Sequence, residues 1–259
     1  MKKVLLIGLA IGLCANLFGA KISQTQCESK EDSFIFAGGE CIQYSEVEGE
    51  VEGVLTIVVH GTWKEGTDTL GRYEPFAETL NMATDITTVA VALPGYSGSS
   101  TNNFEALSHN GTKHLAAQKE YIEFLGELVK SLKEKYNAKT INYIGHSAGA
   151  AMGATLSAYK PTLIDNIVLA GGSYDIDKKI KQKGLISTID FIDNIKETKY
   201  LLIYGTKDKI SPPSITIDFY KIAKKKGVDV QIVKVEGAEH LDLDMTDTSV
   251  DAITEMLEN

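Results

Sequence analysis

Along this chain, short β-branched apolar runs alternate with longer stretches whose apolar residues recur at helical spacing. Runs at 33–37, 41–46, 54–60, 86–93, 140–144, 166–170, 200–204 and 228–235 predict eight strands, most of them closed by Gly, Pro or Asp. Helical spacing over 74–82, 113–136, 148–159, 212–226 and 246–258 predicts the helices, with Pro212 at the entry of one and Gly227 at its exit. The first two strands have no helix between them and predict an antiparallel hairpin. After them strand and helix alternate, as a parallel sheet with helices on both faces requires. Near-continuous apolar runs such as Val54-Leu55-Thr56-Ile57-Val58-Val59 suit strands covered on both sides. The fold class is α/β. No repeat, no linker rich in Pro, Gly or Ser and no shift in composition divides residues 21–259, which are expected to form one domain.

Residues 1–20 break this pattern. Met1-Lys2-Lys3 is basic, 4–15 is apolar, and Leu17-Phe18-Gly19-Ala20 ends in small residues, so the segment reads as a secretory signal peptide. The mature protein is then expected in the periplasm or secreted. The apolar stretch falls short of the roughly 20 residues that cross a bilayer, so no stable membrane span is expected after cleavage. Cleavage removes Cys14 and leaves Cys27 and Cys41 as an even pair in an oxidising compartment. A bridge between them is expected, worth on the order of 3 kcal/mol in the loop-entropy account. A hydrophobic fraction of 43% with only 5 Pro excludes a disordered chain. A net charge of −9, with no basic run longer than Lys224-Lys225-Lys226, excludes a nucleic-acid partner.

In parallel sheets ligands bind at the carboxyl ends of strands, so the residues that follow each apolar run carry the candidate chemistry. After Ile141-Asn142-Tyr143-Ile144 comes Gly145-His146-Ser147-Ala148-Gly149, a G-x-S-x-G pattern that opens a helix of small residues. The pentapeptide alone is weak; its position between strand and helix makes it strong. A serine hydroxyl needs a base, and the base needs a carboxylate to fix its tautomer. Asp208 follows the strand at 200–204, and His240 follows the strand at 228–235. Of the five histidines only His240 lies after Ser147, so the order Ser147, Asp208, His240 is met without choice among histidines. Asp175, after the strand at 166–170, is the rival carboxylate, and His146 reads as a filler of the turn. The run 54–59 leads into His60-Gly61-Thr62-Trp63, where the glycine is expected to turn the backbone so that the Thr62 N–H, with that of Ala148, forms an oxyanion hole. His60 is then structural. Trp63 either walls an acyl pocket or belongs to the core.

Taken with Leu93-Pro94-Gly95-Tyr96-Ser97-Gly98-Ser99, Gly205-Thr206-Lys207-Asp208 and Glu239-His240, these motifs resemble the α/β-hydrolase family over about residues 54–259. The resemblance implies an eight-stranded, mostly parallel sheet with Ser147 as nucleophile, Asp208 as acid and His240 as base. It also brings in Tyr96 beside Trp63 as a substrate-binding candidate. Branches that dehalogenate or open epoxides carry Asp at the nucleophile position, so Ser147 argues against them. Only 29 residues separate 170 from 200, many of them polar, which excludes a full cap domain. A small lid around 184–195, or a rim over 97–112 with Asn102, Asn103 and Phe104, is expected instead.

The expected function is a serine hydrolase that cleaves a carboxylic ester, thioester or amide of a small acyl substrate through an acyl-enzyme, with no cofactor and no metal. Asp242, Asp244 and Asp247 lack the glycine and closing Glu of a calcium loop and read as solvated charge. A serine peptidase or peptide-acting acyltransferase, and a non-catalytic binding module on the same fold, are the alternatives.

Overall fold

Which strand lies at the centre of the sheet follows from where the apolar run is longest. In the computed structural model, which describes residues 21–30, 33–178, 180 and 182–258, that strand is β3 (Val51–Val59), with Leu55, Ile57, Val58 and Val59 all buried. The first twenty residues, and with them the expected signal peptide, lie outside the described residues. All eight predicted strands form: β1 (Phe34–Ala37), β2 (Glu40–Val47), β3, β4 (Ile86–Val91), β5 (Thr140–His146), β6 (Asn166–Ala170), β7 (Lys199–Gly205) and β8 (Val230–Val235). They make one sheet in the order β1-β2-β4-β3-β5-β6-β7-β8. Pairs β1–β2 and β2–β4 are antiparallel, and every pair from β4 to β8 is parallel. The chain crosses β3 between β4 and β5, so the switch point where such sheets bind ligands lies at the carboxyl ends of β3 and β5.

Six helices accompany the sheet among the described residues: α1 (Gln24–Glu28), α2 (Leu70–Thr84), α3 (Lys119–Lys135), α4 (Ala148–Tyr159), α5 (Pro213–Lys225) and α6 (Asp247–Glu258). Helices α3 and α4 pack side by side, and α2 packs on α6. None of these helices is long and apolar enough to cross a membrane. Helix α2 starts at Leu70 rather than 74, because Asp68 accepts the Gly71 N–H and extends the first turn ahead of Pro75. Helix α3 starts only at Lys119, because His114 at φ 59° breaks off a separate turn at Leu115–Ala117. Pro212 caps α5 and Pro213 takes its first position, while Gly227 at φ 78° ends it. Between β6 and β7, Thr188–Glu197 forms helical turns packed on α4, and Leu185 and Ile186 ahead of them are tied to Gln118 and Ala117, which corrects the expectation of a lid around 184–195.

The N-terminal hairpin is fastened by two devices. Cys27 in α1 is joined to Cys41 in β2, and both are fully buried. Beside them Glu40, 0% exposed, accepts hydrogen bonds from the Ser100 hydroxyl and from the backbone N–H groups of Asn102, Asn103 and Phe104. The amides of Asn102 and Asn103 donate to the Gly39 carbonyl, and the Phe104 ring packs on Tyr121 and Phe124. These three residues therefore pin a loop to the hairpin, which corrects the expectation that they rim an active site. Glu40→Ala would leave three partly buried N–H groups without their acceptor and should cost on the order of 3 kcal/mol, read as a lower denaturant midpoint.

At the end of β3, His60 is 1% exposed and uses both ring nitrogens. Its Nε2 accepts the Leu93 N–H at 3.0 Å, which leaves Nδ1 to donate to the Gly61 carbonyl at 2.6 Å. Burial holds its pKa down to about 4, against the pull of the Gly61 acceptor. His60 is structural, as its position at a strand end suggested. In the unfolded chain an ordinary histidine binds a proton near pH 6.5, whereas in the folded one it resists down to about 4. The stability this group carries is complete above pH 6.5 and falls as pH drops toward 4, by on the order of 3 kcal/mol. Denaturant midpoints should fall between pH 7 and pH 4.5, and less so in His60→Gln than in the unmodified protein.

Candidate active site

The pattern Gly145-His146-Ser147-Ala148-Gly149 closes β5 and opens α4 through a turn that no ordinary residue prefers. Ser147 sits at φ 54°, ψ −113°. Three glycines make room for it. A side chain at Gly145 would meet the Ala150 N at 2.7 Å, and one at Gly149 would collide with the Val59 carbonyl. One at Gly61 would meet Ser147 Cβ at 2.8 Å. Gly61 has no left-handed backbone, so it is there for this close approach and not, as the sequence reading had it, to turn the chain.

Ser147, His240 and Asp208, which the sequence reading grouped, form a continuous hydrogen-bonded chain. The Ser147 hydroxyl lies 2.8 Å from His240 Nε2, and His240 Nδ1 lies 2.7 Å from Asp208 Oδ2. The second Asp208 oxygen accepts the N–H groups of Ile210 and Ser211, each at 2.8 Å. The Asp208 side chain is wholly buried and the His240 side chain is 12% exposed, so the carboxylate is shielded while the imidazole edge stays accessible. A carboxylate that only accepts makes Nδ1 the protonated nitrogen and leaves Nε2 free to accept from the hydroxyl. Asp175, the rival carboxylate, instead accepts the Lys178 N–H and pairs with that residue's ammonium.

The register of β3 on β5 pairs Val59 with Gly145, which carries the turn at 60–62 to the side of Ser147. Among the described residues, the N–H groups of Thr62 and Ala148 donate to no protein acceptor. For Ala148 this follows from its place in the first turn of α4. Tyr96 does not line the site. It is fully buried, and its hydroxyl donates to the Trp63 carbonyl at 2.8 Å, so it braces the strand-end turn from behind. Trp63 is half-buried, with its ring 4.9 Å from the Arg72 guanidinium.

His146 is more than a filler. It is 4% exposed, its Nε2 lies 2.9 Å from the His240 carbonyl, and its Nδ1 lies 3.3 Å from the Tyr73 hydroxyl. Tyr73 and Arg72 were missed by the sequence reading, and nothing local in α2 marks them. The guanidinium of Arg72 pairs with Asp242 in the loop that follows His240. Asp244 is buried, not solvated as expected of the acidic cluster. Among the described residues no group of three His, Cys, Asp or Glu side chains could hold a metal ion.

A cavity of about 290 Å³ opens beside the turn. Thr62 and, one helical turn beyond Ser147, Ala151 are among its lining, with Leu107, Ala116, Ile176 and Ile186. Its lining includes no carboxylate.

Residues 57–182 match a family model described as the α/β hydrolase fold. No curated protein sequence matches the chain. Among solved structures it resembles an esterase of Pyrococcus furiosus, at TM-score 0.67 and 18% identity over 87% of this chain and 90% of that one. It also resembles Est1E of Butyrivibrio proteoclasticus with ferulic acid bound, at TM-score 0.65 and 17% identity over 87% and 96%. A monoacylglycerol lipase of Paleococcus ferrophilus aligns at TM-score 0.60 and 19% identity over 84% and 98%. With the matched segment, the eight-stranded sheet and its leading hairpin in agreement, this chain has the α/β-hydrolase fold.

Proposed function

We propose that this protein is a serine hydrolase that cleaves a carboxylic ester or thioester of a compact acyl group through an acyl-enzyme. The observation that carries this reading is the unbroken chain from the Ser147 hydroxyl through His240 to Asp208, beside two unengaged N–H groups. Ser147 Oγ attacks the acyl carbon while its proton passes to His240 Nε2. The carbonyl oxygen becomes an oxyanion and takes hydrogen bonds from the N–H groups of Thr62 and Ala148. Collapse of the intermediate breaks the bond to the leaving alcohol, which takes the proton from His240. Water then repeats the cycle, giving its proton to His240, releasing the acid and restoring Ser147. The esterase and lipase names among the structural neighbours agree with this chemistry. A cavity with no carboxylate offers nothing to a peptide amine, so an ester is favoured over a peptide.

The expected consequences are measurable. Ser147→Ala should lose fluorophosphonate labelling and about 10⁶ in turnover of a chromogenic ester while keeping its fold. Asp208→Asn should lose about 10⁴ by putting His240 in the wrong tautomer, and Asp175→Asn should change little. Persistent labelling in Ser147→Ala refutes the nucleophile, and a large loss confined to Asp175→Asn refutes the carboxylate.

The cavity also sets acyl size. Each methylene it buries adds about 0.8 kcal/mol, close to fourfold in kcat/KM, until the walls are reached. A series of esters of rising chain length should therefore peak at a short acyl group and then fall. Ala151→Leu should move that peak to shorter chains. A rise that continues into long-chain esters overturns the compact-acyl reading.

A further inference from the structure

The loop that carries His240 has little structure of its own. Among the described residues, no backbone-to-backbone hydrogen bond is made by 239–241, and the nearest are the Lys207 N–H to the Ala238 carbonyl and the Met245 N–H to the Asp242 carbonyl. Asp242 stands at φ 63°, in the left-handed region that Asp tolerates better than most residues. What fixes His240 must therefore come from elsewhere. Asp208 fixes the ring at Nδ1. A ring held at one nitrogen can still swing if its backbone drifts.

The backbone is held by the residue next to Ser147. A carbonyl only accepts, so the 2.9 Å contact makes His146 Nε2 the donor and the His240 carbonyl the acceptor. In the neutral imidazole the other nitrogen, Nδ1, is then an acceptor, and the Tyr73 hydroxyl 3.3 Å away is the donor that suits it. The His146 and His240 rings lie 5.1 Å apart. We propose that His146 and Tyr73 are positioning residues: Tyr73 orders the His146 imidazole, whose Nε2–H ties the backbone of His240 to the residue preceding Ser147. His240 is thus anchored twice, its ring by Asp208 and its main chain by His146. Because His146 and Ser147 are adjacent, the second anchor refers the base to the nucleophile itself. The proposal rests on the acyl-transfer reading for its effect on rate, and on geometry alone for its effect on His240.

Two variants of His146 separate the bond from the packing. Gln places its side-chain nitrogen near the position of Nε2 and can still donate to the His240 carbonyl; Asn is too short. In His146→Asn, fluorophosphonate inactivation and ester turnover should slow by about tenfold to hundredfold with KM within about twofold. His146→Gln should return to within about threefold of the unmodified protein. The low-field proton resonance of His240 Nδ1–H, assigned by its loss in His240→Asn, should broaden or shift in His146→Asn and recover in His146→Gln. Equal rates and equal spectra for the two variants overturn the proposal. Should His146→Asn fail to fold by circular dichroism, Tyr73→Phe decides: it removes one hydroxyl, and an unchanged His240 resonance refutes the proposal. If the unmodified protein does not react with the probe, the acyl-transfer reading fails, while the resonance still decides whether His146 positions His240.

Discussion

The turn at Ser147 is the constraint to which the rest of the site is fitted. A backbone at φ 54° and ψ −113° in a residue with a side chain costs free energy, on the order of 1–3 kcal/mol, and persists only where its surroundings overdetermine it. The surroundings here are three glycines and one strand register. Val59 opposite Gly145 sets β3 and β5 so that Gly61 abuts Ser147 Cβ, and Gly149 lies against the end of β3. With larger residues at these positions, β3 and α4 could not close on the turn. The same closeness sets the strand-end turn that carries Thr62 beside Ser147, the residue before Ala148.

The imidazole reaches this turn from the far end of the chain, 93 residues later, on a loop without a ladder of its own. Its position is therefore borrowed. Asp208 and His146 take the residue itself, and Arg72 takes Asp242 two residues on. Two of these three ties run to α2 or through it, since Tyr73 also belongs to that helix. Helix α2 in turn packs on α6, the element that continues from the His240 loop. A helix that supplies none of Ser147, His240 and Asp208 thus holds one side of the site, and its contribution is geometric.

Sheet and strand-end chemistry could be read from the sequence because both are written locally. Val54 to Val59 is apolar at consecutive positions whatever lies around it, and G-x-S-x-G needs only a strand before it and a helix after it. Asp208 and His240 were found because order along the chain left one histidine. What could not be read depends on contacts across long separations. Tyr73 meets His146 over 73 residues and Glu40 meets Phe104 over 64, and no periodicity marks either pair. Tyr96 was misplaced for the same reason: a tyrosine in a glycine-rich loop looks available to substrate until Trp63 turns out to hold its hydroxyl. Gly61 was identified as special but for the wrong cause, since sequence cannot tell a left-handed glycine from one crowded by a neighbour.

The walls of the cavity obey a different rule from the strand-end residues Ser147, His240 and Asp208. Ser147, His240 and Asp208 follow strand ends whose spacing the sheet enforces, and structures only 17 to 19% identical share this fold. Leu107, Ala116, Ile176 and Ile186 come from segments outside the sheet, which are free to differ between proteins of one fold. In this chain the two sides are fastened to each other: the Ile186 N–H donates to the Ala117 carbonyl, and Leu185 pairs with Gln118. That join makes the segment ahead of Thr188–Glu197 an extension of the turn at Leu115–Ala117, so the two must shift together if the cavity is to widen. The width of the cavity then depends on a short backbone seam outside the sheet, which can change without disturbing the turn at Ser147.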